Sequence, residues 1–383
     1  MARSANERVK TLDTSRISFG EMVAGVSGLV LFIVMFLPWY QVEIDASFGS
    51  TSYSAWEAFG FIDVLLMLVV LVAVERPTLG GALILAAALA TFLDVTNIFQ
   101  LGRRLTSRRL SQNVESIERG DKPGTLVLVA HYDAARTAGA FRLATRVLRD
   151  PWRAMLGAMV LLIACCVARA LGVEGVVLTA AQFAPTVLLI LLLPALADIE
   201  LSDTSRGTAD NAAGVATVLR LADDIGGRLE HFDVWVVLTG AQAPFALGMS
   251  GWLRQRRKEL DRQRTAVLNV DGVGDGELTF SRREGPVFAL RSHSQLVRLC
   301  REIAEDEGEA GAQPRVFHER TDAAAAIARG LPALTVSRDG ESIGPNEMES
   351  AYAFCRELIE RLDAEVGPDL AGITPSAKAA AAQ

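Results

Sequence analysis

Apolar residues fall along this chain in two different patterns. Between positions 22 and 101, and again between 155 and 196, they form long runs; elsewhere they come in short bursts separated by charged stretches. Five of the long runs, at 22–39, 59–74, 79–101, 155–171 and 176–196, approach the roughly 20 residues a helix needs to cross a bilayer. The first carries no charge and ends in Pro38-Trp39-Tyr40, an aromatic signature of the membrane interface. It lacks a small-residue cleavage site, which predicts a retained span rather than a signal peptide. Asp63 sits near one end of the second run, and Asp94 interrupts the third, whose limits are therefore the least secure; near a span end an acid reaches the interface more often than it marks an intramembrane site.

The short bursts have the length and β-branched content of buried strands at 125–130, 234–239, 265–270 and 333–337, alternating with amphipathic helices at 212–225, 294–306 and 347–362. Such alternation predicts an α/β fold: a mixed, mostly parallel sheet sandwiched by helices, here accompanied by about five transmembrane helices. The expected organisation is an N-terminal tail (1–21), a three-span membrane module (22–101), an α/β domain in two pieces (102–151 and 200–365), a transmembrane hairpin inserted between them (152–199), and a disordered tail (366–383).

Composition narrows the function. The formal charge of −7 and the absence of a basic stripe with interleaved aromatics exclude a nucleic-acid partner. Cys165, Cys166, Cys300 and Cys355 have neither metal-site spacing nor a disulfide framework. The lipid bilayer is the expected partner, and a multi-pass position in the cell membrane the expected location. The side on which the α/β domain lies is undecided. Arg3, Arg8, Lys10 and Arg16 favour a cytoplasmic N-terminus, whereas Arg103, Arg104, Arg108 and Arg109 after the third run, with Arg142, Arg146, Arg149 and Arg153 before the fourth, favour a cytoplasmic α/β domain.

Candidate chemistry gathers where the predicted strands end. Ala130-His131-Tyr132-Asp133 follows the first strand, Asp210-Asn211 precedes an Ala-rich helix, and Asn269-Val270-Asp271 closes another strand. Taken singly, His131 with Asp133 reads as a polar strand end and Asp210 as a helix N-cap. Taken together and in order, these stretches resemble metallopeptidase family 28, the di-zinc aminopeptidases. Ala130-His131-Tyr132-Asp133 is similar to the family's A-H-Y-D, Gly207 to Ala216 to its G-A-D-D-N-A-S-G-V-A, and Asn269-Val270-Asp271 to its N-x-D. The resemblance implies that His131, Asp210 and Asp271 are zinc ligands, Asp210 taking the place of the carboxylate that bridges both ions. It implies that Asp133 orients the imidazole of His131.

The same resemblance marks what is missing. Gly240-Ala241-Gln242-Ala243 stands where the family reads G-A-E-E, a general base followed by a ligand of the second zinc. Thr321-Asp322-Ala323 stands where it reads S-D-H, in a register anchored by Gly330-Leu331-Pro332-Ala333 against G-I-P-A. Gln242, Ala243 and Ala323 thus replace one base and two ligands, all in one half of the site. His318, Glu319 and Asp322 are the nearest candidates for a repair. The expected cofactor is one zinc or none. The expected function is a membrane-anchored, non-catalytic pseudopeptidase that binds or scaffolds a peptide or protein in the former substrate cleft. The alternatives are a working zinc aminopeptidase or related hydrolase with a rearranged or single-zinc site, and an α/β domain that serves only as a platform for the spans.

Overall fold

The structure, a computed structural model, describes residues 38–43, 50–54, 76–96, 98, 111–134, 151–201, 211–242, 245–307, 311–340 and 342–370. The chain divides into two compact units, Met1–Ala88 with Gly157–Leu191, and Leu89–Leu156 with Leu192–Gln383.

The first unit holds an antiparallel hairpin of β1 (Pro38–Glu43) and β2 (Ser50–Ser54). It also holds large parts of α1 (Pro77–Val95), α2 (Pro151–Ala170) and α3 (Val176–Leu201). Prolines 77 and 151 open α1 and α2, where a missing N–H costs no helix hydrogen bond. Small residues bring α1 and α2 together: a Cβ added to Gly81 would lie 3.1 Å from Cys166 Cβ. Close approach of this kind is the means by which helices associate in lipid, where apolar burial supplies no drive. Ile84, Leu162 and Cys166 are buried there, and all four cysteines of the chain are free and buried.

Five spans were expected from the apolar runs. Among the described residues two helices, Pro77–Val95 and Trp152–Ala170, are long and apolar enough to cross a membrane, and α3 adds a shorter apolar stretch, Val176–Leu192. The first expected span lies outside the described residues up to position 37, and Pro38-Trp39-Tyr40 opens a strand. The second, at 59–74, lies outside them entirely.

The second unit is built on β3 (Val114–Ile117), β4 (Gly124–His131), α4 (Ala213–Ile225), β5 (Phe232–Thr239), α5 (Leu247–Gln255), β6 (Thr265–Val273) and β7 (Leu278–Glu284). It continues through β8 (Leu290–Arg291), α6 (Ser294–Glu307), β9 (Gln313–Phe317), α7 (Asp322–Ile327), β10 (Ala333–Arg338) and α8 (Pro345–Arg361). The sheet order is β3-β5-β4-β6-β10-β7-β8, with β9 beside β7. The four central strands β5, β4, β6 and β10 are parallel, while β3, β7 and β8 join antiparallel. The fold is therefore mixed α/β, and three of the predicted strands, 125–130, 234–239 and 265–270, are neighbours in one sheet.

Residues 126–130 of β4 are buried throughout, because helices cover both faces of the central strands. Alternate residues point to opposite sides: Leu126, Leu128 and Leu268 enter the core containing α4, α6 and α8, whereas Val127, Val129 and Val267 enter the core containing α5 and α7. On α4 the buried set Ala213, Gly214, Thr217, Val218, Leu221 and Ile225 follows helical spacing. The described residues continue to position 370. Leu370 is buried, and its N–H donates to the Gln263 carbonyl at 2.8 Å.

Candidate metal centre

Parallel pairing of β4 with β6 carries the two strands to the same edge of the sheet, and polar side chains collect where they end. His131 is the last residue of β4, and its Nε2 lies 3.2 Å from Asp271 Oδ1 at the end of β6. On the other side of the ring, Nδ1 lies 2.9 Å from the Asp133 carbonyl and 3.5 Å from Asp133 Oδ1. A carbonyl only accepts, so the Nδ1 proton is committed to it. Nε2 then faces a carboxylate, a second acceptor. That pairing is favourable only when Nε2 is also protonated or when a cation lies between the two lone pairs. Two ligands of a tetrahedral zinc with bonds of about 2.0–2.1 Å stand about 3.3 Å apart, so the observed separation fits a shared ion without rearrangement.

Asn211 fixes the start of α4 against this edge. Its Nδ2 donates to the Val270 carbonyl at 2.9 Å, and its Oδ1 accepts from the Gly272 N–H at 3.0 Å. Gly214 is required one helical turn on, since a Cβ there would collide with the Asn211 amide. Asp210, the third predicted ligand, lies outside the described residues. Among the described residues no group of three or more His, Cys, Asp or Glu side chains is arranged to hold a metal ion.

The other half of the site is built differently. β5 ends at Thr239, and the chain then turns through Ala241 and Ala246, both at positive φ (51° and 47°), a conformation costing an alanine about 1–2 kcal/mol. Gly240 and Gly248 are held to glycine by packing. A Cβ on either would strike neighbouring backbone, and Asn113 spans both, accepting from the Gly240 N–H at 3.1 Å and donating to the Gly248 carbonyl at 2.9 Å. Gln242 donates its main-chain N–H to Asp133 Oδ2 at 3.0 Å, while its side-chain amide makes a long contact of 3.5 Å to the Arg320 carbonyl. Ala243 lies outside the described residues. Ala323 is fully buried and belongs to the apolar cluster that includes Val129 and Met249.

The three candidate substitutes behave unlike one another. His318 Nδ1 lies 2.9 Å from the Arg153 guanidinium, so its lone pair is engaged by a cation already. Glu319 is exposed. Asp322 is buried, accepts a short hydrogen bond from the Thr239 hydroxyl, and is close enough to feel the charges of His131, Asp271 and Asp133. Burial dominates over these contacts and pushes its pKa from 3.8 to about 7.

One acid was not anticipated. Glu284, at the end of β7, is fully buried and accepts from the hydroxyls of Ser281, Thr321 and Thr335 and from the Thr335 N–H. Desolvation still raises its pKa above the ordinary glutamate value. Thr335 receives the Asn269 amide at 3.2 Å, and Asn269 lies 3.5 Å from Asp271 Oδ2, so a chain of polar groups leads from Glu284 to the His131–Asp271 pair. No periodicity marks Glu284 in the sequence; beside Ser281 of its own strand, its partners Thr321 and Thr335 come from two distant segments.

Residues 193–352 match the sequence model of peptidase family M28, a span that takes in Asp210, Gln242, Asp271 and Ala323 and begins after His131. No curated protein matches the chain. Among solved structures it is similar to BSAP, a zinc aminopeptidase from Bacillus subtilis, at 14% identity over 67% of this chain and 52% of that one, with a TM-score of 0.38. It is similar to an aminopeptidase from Aneurinibacillus sp. strain AM-1 at 12% identity over 68% and 50%, TM-score 0.39. A third is glutaminyl cyclase from Porphyromonas gingivalis, 14% identical over 65% and 75%, TM-score 0.36. The chain spans about half the length of the first two, and likenesses this distant transfer no activity. Residues 193–352 are thus the part of the chain in which the pattern of peptidase family M28 is recognised.

Proposed function

We propose that the chain is a membrane-anchored member of this family whose centre is reduced to a half-site, so that its cleft binds a peptide or protein segment without cleaving it. His131, Asp210 and Asp271 are the residues that would hold a single zinc, with Asp133 orienting His131 through Nδ1. A bound zinc supplies Lewis acidity towards water or a carbonyl. The chain's own residues do not complete the chemistry. Gln242 is a neutral amide with no affinity for a proton, and loss of a general base costs about 10²–10⁴ in rate. The observation that carries the reading is Ala323: at the position of the second ion's ligand stands a methyl group sealed in carbon, beside an Asp322 whose carboxylate is turned to Thr239. The test is zinc content per chain of detergent-purified protein, with hydrolysis of aminoacyl substrates in added zinc. One zinc or none and no turnover is the expected result; robust, chelator-sensitive turnover defeats the proposal.

A second reading, a working hydrolase with a rearranged centre, draws support from Asp322. A buried carboxyl group near neutrality beside His131 and Asp271 has the proton affinity that a base needs. Turnover abolished by Asp322→Asn with zinc content unchanged would favour it.

The membrane reading extends to five spans and a multi-pass location. It is supported by the outward apolar side chains of the first unit, among them Leu83, Leu85, Val160, Val167 and Leu191, each at least 41% exposed. Faces of this kind suit lipid better than water. Extraction from membranes by detergent but not by alkaline carbonate is the expected behaviour, and release by carbonate would refute it.

A further inference from the structure

The hairpin that joins β7 to β8 has a tip unsuited to water. Glu284 pairs with Leu290, and the turn between them reads Gly285-Pro286-Val287-Phe288-Ala289, without one polar side chain. Turns in water favour Asn, Asp and Ser, whose side chains bond the turn backbone. Here Phe288 is 70% exposed and Leu290 40%. The turn has a fixed shape. Gly285 takes a φ of 137° and donates its N–H to the Phe317 carbonyl at 3.0 Å, and a Cβ on it would strike the Phe288 carbonyl. Contiguous apolar side chains held outward in this way call for a partner.

Behind the tip stands a pair of like charges. Arg283 and Arg291 are opposed in the β7–β8 ladder, so their side chains leave the same face with Cβ atoms about 5 Å apart. Both are exposed, and neither guanidinium has a hydrogen-bond or ion-pair partner among the described residues. Like charges facing one another across two strands are destabilising, and an anion lying over both removes that cost. The hairpin thus offers carbon at its end and positive charge one step further back. Two contacts fix its place. The Phe288 ring meets Phe92 of α1 edge-on, with centroids 6.1 Å apart, and Arg320 Nη1 donates at 2.8 Å to the carbonyl of Val95, the last residue of α1.

Depth follows from the length of α1. Its 19 residues make a helix of about 28 Å, against a hydrocarbon core of about 30 Å. With α1 as a span, the turn from Phe92 to Val95 lies where acyl chains meet headgroups, and Phe288 shares that depth. We propose that the β7–β8 hairpin is a further membrane element, which inserts Phe288 and Leu290 at the acyl boundary while Arg283 and Arg291 hold the headgroups of anionic lipid. This rests on the reading of α1 as a span. Aromatic rings favour that depth, and guanidiniums gain from a negatively charged leaflet. A soluble protein reaching Phe288 would have to displace lipid from beside Phe92, so the bilayer is the occupant the contact favours.

The test uses the full-length chain in lipid nanodiscs of phosphatidylcholine and phosphatidylglycerol. A thiol-reactive fluorophore is placed at Val287→Cys, beside Phe288 in the turn; the four native cysteines are buried. Lipid spin-labelled high on the acyl chain should quench this probe at least about threefold more than the same probe at Leu219→Cys, an exposed position on α4. Phe288→Asp should bring the two probes level. Omitting the phosphatidylglycerol should lower quenching at 287 in the wild-type background, and Arg283→Gln/Arg291→Gln should abolish that dependence on lipid charge. A probe at Leu85→Cys, exposed near the middle of α1, tests the span itself with lipid labelled near the end of the acyl chain. Quenching at 85 without quenching at 287 overturns the hairpin proposal and leaves the span standing. Quenching at neither position overturns both. Quenching at 287 no greater than at 219, or indifferent to the anionic lipid in the wild-type background, would also overturn the proposal.

Discussion

Asp322 is the group through which pH should act on the stability of the α/β unit. It is 1% exposed, one of its oxygens accepts from the Thr239 hydroxyl, and the other has no partner among the described residues. Burial raises its pKa from 3.8 to about 7. A raised carboxyl pKa means that the folded state holds its proton more tightly than the unfolded state. Stability therefore falls as pH rises from about 4 to about 7, and is constant above that. At about 1.4 kcal/mol per pH unit the full penalty above neutrality is of order 4 kcal/mol. Some of it is already present at pH 5, so the change between pH 5 and pH 8 is about 2–3 kcal/mol. Asp322→Asn removes the titration and keeps the acceptor for Thr239. Trp235 and Trp252, packed edge to face at 6.3 Å in this unit, report its unfolding by fluorescence. In urea melts with a chelator present, the wild type should lose about 2–3 kcal/mol more than the variant between pH 5 and pH 8. An identical pH dependence in both proteins would refute the desolvation argument.

Three other outcomes are expected. Asn211→Ala removes the bonds to Val270 and Gly272 at 2.9 and 3.0 Å and strands two main-chain groups; a loss of about 2–4 kcal/mol in urea melts is expected, and a loss below 0.5 would contradict the proposed anchoring. Gly81→Leu should force α1 from α2, because even a Cβ stands 3.1 Å from Cys166 Cβ, and maleimide labelling of the buried cysteine should accelerate relative to wild type, with Gly81→Ala intermediate. Under the half-site reading, His131→Ala should abolish any zinc retained, whereas Gln242→Glu, Ala243→Glu and Ala323→His should restore turnover only in combination, since coupled catalytic groups fail singly; activity in any one single variant would break that reading.

The central strands were legible in the sequence because each is a short, continuous apolar run between turn residues. Such runs report burial on both faces, as with 126–130 of β4. The edge strands were not. β3 is mostly exposed and β7 ends in Arg-Arg-Glu, so neither shows a core pattern, and their pairing is set by neighbours far along the chain. In the site, His131 and Asp271 could be read as partners because both close strands that pair in parallel. The setting of Asp322 and the burial of Glu284 could not: both depend on threonines contributed by separate elements, Thr239 in the first case, Thr321 and Thr335 in the second. The apolar runs at 79–101 and 155–171 foretold helices, yet hydropathy extended the first of them beyond Val95.

The polar residues that remain and those that are gone differ in what else they do. His131 and Asp271 join β4 to β6, Asn211 ties α4 to the end of β6, and Asp133 accepts the Gln242 N–H and so steadies the turn after β5. Each of these would leave a buried partner stranded if it were lost, at about 1–3 kcal/mol apiece. The carboxylate that would stand at 242 and the imidazole at 323 have no such second duty. The Gln242 main chain makes its bond to Asp133 whatever side chain it carries, and the methyl of Ala323 packs in an apolar cluster where an imidazole would need a partner. Under the half-site reading, changes confined to one half of the centre would therefore follow from the fold itself. Because the His131–Asp271 pair is favourable only with a second imidazole proton or a shared cation, the zinc content of the wild type against His131→Ala, rather than the presence of the motif, is the measurement that decides whether metal belongs to this protein.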